Sequence, residues 1–102
     1  MKYQLVIQFP EDLFKSVDEI ASMEDQLDRS LVDAEVDGHD IGSGEINIFI
    51  HTNSPENTFE TVKNILEEKF FNFNYLKIAY RKIGDEEYIA LWPDDLEQFN
   101  VS

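Results

Sequence analysis

Tyr3, Leu5, Ile7 and Phe9 alternate with Lys2, Gln4, Val6 and Gln8 at the start of the chain. Apolar side chains at every second position share one face of a pleated strand, so residues 2–9 are predicted to form a half-buried strand that Pro10 ends. From residue 11 to about 32 the period lengthens. Leu13, Val17, Ile20, Leu27 and Leu31 follow at spacings of three, four or seven, the stripe of an amphipathic helix. Ser16 followed by Glu19 matches a capping box, which offers Ser16 as the start of the regular helix.

Alternation returns over residues 34–41 and 45–52, where Ile46, Ile48 and Ile50 oppose Asn47, Phe49 and His51. Gly42-Ser43-Gly44 between them tolerate the positive φ of a tight hairpin connection, and Gly38 predicts a bulge. Ser54-Pro55-Glu56 then opens a second helix with an N-cap, a first-turn proline and a first-turn acid. Its expected stripe is Phe59, Val62, Leu66 and Phe70, and residues 72–74 should end it. Residues 75–83 set Leu76, Ile78 and Tyr80 against Lys77, Ala79 and Arg81; Gly84-Asp85 turns the chain, and residues 87–92 form a fifth strand closed by Pro93. Asp94-Asp95 is expected to cap one last turn through Phe99.

The order predicts one α+β domain over residues 1–102, a ferredoxin-like split βαβ arrangement (β-α-β-β-α-β). An antiparallel sheet carries two helices on one face and an additional C-terminal hairpin strand. On the other face Phe49 and His51 should lie outward with Val6, Ala79, Lys77 and Arg81. A dimer partner, the Leu91-Trp92-Pro93 segment or a target protein would then cover Phe49 and its neighbours.

Charge narrows the function. With 8 basic against 22 acidic residues the chain carries −14, which opposes binding to nucleic acid or anionic membranes and suits a basic protein partner or a cation. Residues 11–45 hold twelve acids and two bases, so the first helix and the hairpin account for most of the field. The absence of cysteine removes disulfides, thiol nucleophiles and cysteine zinc sites, and fits the cytoplasm. No leader is expected from an N-terminal strand interrupted by Gln4 and Gln8, and no apolar run approaches the roughly 20 residues that span a bilayer.

The hairpin is the densest chemistry. Asp33, Glu35, Asp37, Gly38 and His39 fall at positions 1, 3, 5, 6 and 7 of a calcium-loop pattern, yet position 12 is Gly44 rather than a bidentate acid and position 8 is Asp40. Asp and Gly also serve ordinary turns, through side-chain hydrogen bonds to nearby amides. His39 and His51 are candidate acid–base or metal groups, but their separation of twelve residues matches no ligand signature. Gly42-x-Gly44 is too short for a phosphate loop and lacks a following helix. An outward Phe49 resembles the stacking residues of RNA-binding sheets, but the basic-aromatic motif that accompanies them is missing.

Asp37-Gly38-His39-Asp40-Ile41-Gly42-Ser43-Gly44-Glu45 with Asn47-Ile48-Phe49-Ile50 resembles a hairpin pattern of small bacterial proteins of about this length. That resemblance implies a bacterial ferredoxin-like domain and transfers no activity. In general character the chain is similar to immunity proteins, small acidic domains that neutralise basic toxins. The expected function is therefore a non-enzymatic, cytoplasmic protein-interaction domain, an immunity-type inhibitor of a basic partner, with no cofactor. Asp25, Asp28, Asp37, His39, Asp40, Glu45, Phe49 and His51 are the candidate contacts. Two alternatives remain. One is a small-ligand or metal-dependent enzyme using the hairpin at residues 37–45, which a metal-dependent rise in melting temperature would reveal. The other is a homodimer paired through sheet faces or edges.

Overall fold

The computed structural model describes residues 1–69, 75–96, 99 and 101. Phe70 as part of the second helical stripe, the helix end at residues 72–74 and the middle of the turn through Phe99 lie outside the described residues. The elements are β1 (Tyr3–Pro10), a 3-10 turn (Glu11–Leu13), α1 (Val17–Ser30), β2 (Ala34–Gly42), β3 (Glu45–Thr52), α2 (Pro55–Lys69), β4 (Lys77–Lys82) and β5 (Ile89–Trp92). The fold is α+β, with one five-stranded antiparallel sheet in the order β2-β3-β1-β4-β5. This is not the four-strand ferredoxin-like order as it stands, because β5 pairs on the outer side of β4 and takes its place as the sheet edge.

The helix expected over residues 11–32 is two pieces. Phe14 is extended after the 3-10 turn, and α1 begins only where Ser16 caps it, its hydroxyl accepting from the Glu19 N–H at 3.4 Å. Glu19 returns the contact one residue early, accepting from the Lys15 N–H at 2.9 Å. The stripe shifts accordingly. Ile20, Met23 and Leu27 are buried, and Leu13 and the C-cap Leu31 pack partly buried on the same core from outside the helix, whereas Val17, the first helical residue, is exposed. Asp33 then takes a left-handed φ of 57°, which Asp tolerates better than most residues, and the chain enters β2.

Hairpin chemistry positions β2 and β3. Gly42 pairs with Glu45, and Ser43 and Gly44 between them both have positive φ, as the primed two-residue turn requires. Val36 pairs with Ile50 but Gly38 with Phe49, so Asp37 is the extra residue of a bulge and Gly38 takes φ 144°.

Leu5, Ile7, Phe9, Ile46, Ile48, Ile50 and Ile78 form the helix-side core with Ile20, Met23 and Leu27 of α1 and Val62 and Leu66 of α2, so both helices cover one face. The opposite face is covered too. Val6 and Ala79, which the alternation places on an open surface, are fully buried with Phe99, and Phe49, Tyr88, Leu96 and Val101 pack around them. Leu91 and Trp92 do not supply this cover. They pack on the helix-side core, with the Lys63 Nζ 5.1 Å from the Trp92 ring centroid.

Candidate interaction surfaces

His39 pairs with Ile48 across the hairpin, which puts its side chain on the helix side of β2. There its Nδ1 lies 2.9 Å from Oε1 of Glu24, tying α1 to the edge strand. One turn further along α1, Asp28 Oδ1 accepts from the Val36 N–H at 3.1 Å, just before the bulge. Asp25 is solvent-exposed and meets Arg29 at 2.9 Å along the helix. Between α1 and β2 runs an open groove lined by Glu24, Asp25, Asp28 and Asp37.

The remaining candidates sit around the hairpin's other side. His51 pairs with Glu35 and its Nε2 lies 3.6 Å from Oδ2 of Asp37, while Asp40 pairs with Asn47. Glu45 is half-buried where β3 meets the ends of β1 and β2. The bulge is therefore the divider. Asp37 joins the α1 groove and also reaches His51, whereas His39 belongs to the helix side and Asp40 and Phe49 to the other. Glu24, an acid of the first helix that is not among the candidate contacts, follows the buried Met23 at the border of the helical stripe.

Registers across β4, β1 and β3 lay out that other face in three rows: Lys77, Gln8, Asn47; Ala79, Val6, Phe49; Arg81, Gln4, His51. None of the nine is a carboxylate. The neighbouring column on β2 is acidic, with Asp40, Asp37 and Glu35 beside these rows, so the face grades from basic at β4 to acidic at β2. Gln8 donates from Nε2 to Asn47 Oδ1 at 3.0 Å, and both amides are buried. Arg81 donates to Gln4 Oε1 at 2.9 Å and to the Asp85 carbonyl at 2.7 Å, and its guanidinium carbon lies 5.7 Å from the Tyr88 ring centroid.

The residues that matched a calcium loop run into and along β2, so their side chains alternate between faces rather than converging. Among the described residues no group of three or more His, Asp or Glu side chains is placed to hold a metal ion. None of the described helices is long and apolar enough to cross a membrane. In comparisons with known proteins, no family model, curated protein or solved structure matched the chain.

Proposed function

We propose that this chain is a non-enzymatic interaction domain that binds a basic protein through its α1–β2 edge, in the manner of an immunity-type inhibitor. The supporting observation is the groove in which Glu24, Asp25 and Asp28 of α1 face Asp37 of the β2 bulge. Arg29 is the single lysine or arginine within residues 16–45. Acids drawn from two elements and concentrated on one edge set up a field that steers a cationic partner and speeds its encounter. The scaffold belongs to the same reading. β2, β3, β1 and β4, with helices after β1 and β3, make a ferredoxin-like split βαβ unit that β5 extends. A cytoplasmic setting is favoured by the cysteine-free composition.

The test keeps the fold and removes the charge. Asp25→Asn, Asp28→Asn and Asp37→Asn together leave Oδ1 of residue 28 able to accept from the Val36 N–H. Immobilised wild-type chain should retain a basic protein from its native extract at low salt, and the triple variant should retain roughly tenfold less, since rim charges act chiefly on association. Equal retention by the two forms would remove the edge from the interaction.

A further inference from the structure

β2 is a sheet edge of nine residues, whereas the opposite edge, β5, has four. The hydrogen-bond phase of the hairpin fixes which main-chain groups of β2 face outward. Glu11 donates to the Gly44 carbonyl at 2.9 Å, in register with the pairing of β1 and β3. Hydrogen-bonded pairs of an antiparallel ladder recur at every second residue, so Ile46, Ile48 and Ile50 turn their N–H and C=O groups towards β1. Their β2 partners, Ile41, His39 and Val36, therefore turn theirs away from β3, to the edge. Val36 agrees, since its N–H is taken by Asp28. The N–H groups of His39 and Ile41 have no acceptor among the described residues. His39 is exposed as a residue although its side chain is only 27% exposed, so its main chain lies open to solvent.

Side chains along this edge are sorted by face. Ile41 is 43% exposed on the helix side, over a cleft that it forms with Phe14, Val17, Ile20 and Ile46. Asp40 lies exposed on the other face. An antiparallel second copy is a poor occupant. The register that would satisfy both His39 and Ile41 sets Asp40 directly against Asp40, and like charges placed so repel. We propose that the partner protein adds a strand along residues 38–42 of β2, apolar where it meets His39 and Ile41 and basic where it meets Asp40. Main-chain hydrogen bonds supply the contact, and the alternating side chains supply the selection. Strand addition rests on the acidic-edge reading for the sign of the partner. It goes further in naming what docks: an extended segment of alternating apolar and basic residues.

The experiment titrates the isotopically labelled full chain with a short peptide of alternating lysine and valine and follows the amide resonances of the chain. Valines opposite His39 and Ile41 turn their own N–H groups to β2, and the lysines turn theirs away. The His39 and Ile41 amide protons should therefore shift downfield, while those of β4 and β5 stay in place. N-methylation of the valine nitrogens should weaken binding at least tenfold, and N-methylation of the lysine nitrogens should leave it within about twofold. Asp40→Asn should weaken binding chiefly at low salt. The Asp25→Asn/Asp28→Asn/Asp37→Asn variant should bind more weakly yet keep the difference between the two methylated peptides. An undiminished affinity with that difference intact would remove the groove while strand addition stands. Strand addition is overturned if millimolar peptide leaves His39 and Ile41 unshifted, or if the two methylated peptides bind alike. It is also overturned if those amides shift with the concentration of the chain alone, which would assign the edge to a second copy.

Discussion

Val6→Ala tests whether the sheet face opposite the helices is covered. Val6 is fully buried although it alternates with the helix-side residues Leu5 and Ile7, and its neighbours there are Ala79, Phe49 and Phe99. The substitution removes two methyl carbons. At about 0.8 kcal/mol per buried methylene the transfer loss is about 1.6 kcal/mol. Incomplete collapse of the space left behind raises the expected destabilisation to about 2–3 kcal/mol. Urea unfolding followed by far-UV circular dichroism measures it. With a slope of about 1–2 kcal/mol/M for a chain of this size, the midpoint should fall by roughly 1–3 M at unchanged slope. On an open face the same change would stay within about 0.5 kcal/mol. Because Phe99 lies against Val6, the double variant with Phe99→Ala should lose less than the sum of the single losses, by about 0.5–1 kcal/mol or more. A Val6→Ala loss below about 0.5 kcal/mol, or strict additivity with Phe99→Ala, would refute the covered face.

Three further outcomes follow from local geometry. Gly44 has φ 79° and nothing within 4 Å of the position a Cβ would take. Gly44→Ala should therefore cost about 1–2 kcal/mol through backbone conformation alone, read as a lower urea midpoint with the strands still paired. Thr52 and Thr58 share a buried hydroxyl contact of 2.7 Å, and the Thr52 hydroxyl also accepts from the Ser54 N–H at 2.9 Å. Thr52→Val should thus cost more than Thr58→Val, about 2–3 against about 1 kcal/mol, because it removes two bonds rather than one; equal thermal shifts would deny that ordering. Glu24 and His39 have side chains only 17% and 27% exposed. A cycle of Glu24→Ala and His39→Ala at pH 6 should show coupling of about 0.5–1 kcal/mol, and zero coupling would mean that the contact does not hold α1 to the hairpin.

β1 and β3 were readable because each has a helix-side apolar row, and β1, β2 and β5 end at or beside Pro10, Gly42 and Pro93. Ser43 and Gly44 of the hairpin and Ser16 of α1 carry their geometry in their identity. The first helix was less legible. Its apolar spacing runs on through Leu13 and Leu31, but Phe14 is extended and the cap at Ser16 overrides the stripe. Met23 sat in plain view within the seven-residue gap between Ile20 and Leu27, at the three-and-four spacing a buried helix face needs. Val6 and Ala79 show the opposite limit. Alternation assigns them correctly to the face opposite the helices, but nothing local reports that Phe99, far along the chain, lies over them.

The candidate surface was legible as chemistry and not as geometry. Asp25, Asp28 and Asp37 line one groove, yet only the bulge at Asp37 brings that residue towards α1 while also letting it reach His51. His39 and Asp40 are adjacent in sequence and face opposite sides of β2, because successive residues of a strand do. Glu24 became a partner only through the packing of α1 on β2, a contact of fifteen residues' separation that no local pattern encodes.

Electrostatic steering by the α1–β2 edge is the central claim, and the association rate constant against ionic strength tests it most directly. The chain is mixed in a stopped-flow instrument with the basic protein that the proposed retention experiment is expected to recover, from about 20 to 500 mM salt, a range over which the screening length falls from about 20 Å to about 4 Å. The expected result is a rate that drops by at least tenfold across this range while dissociation changes little, and a triple variant (Asp25→Asn/Asp28→Asn/Asp37→Asn) whose low-salt rate already lies near the wild-type high-salt value. A rate constant that is flat with salt, or a triple variant that associates as fast as wild type, would contradict the account.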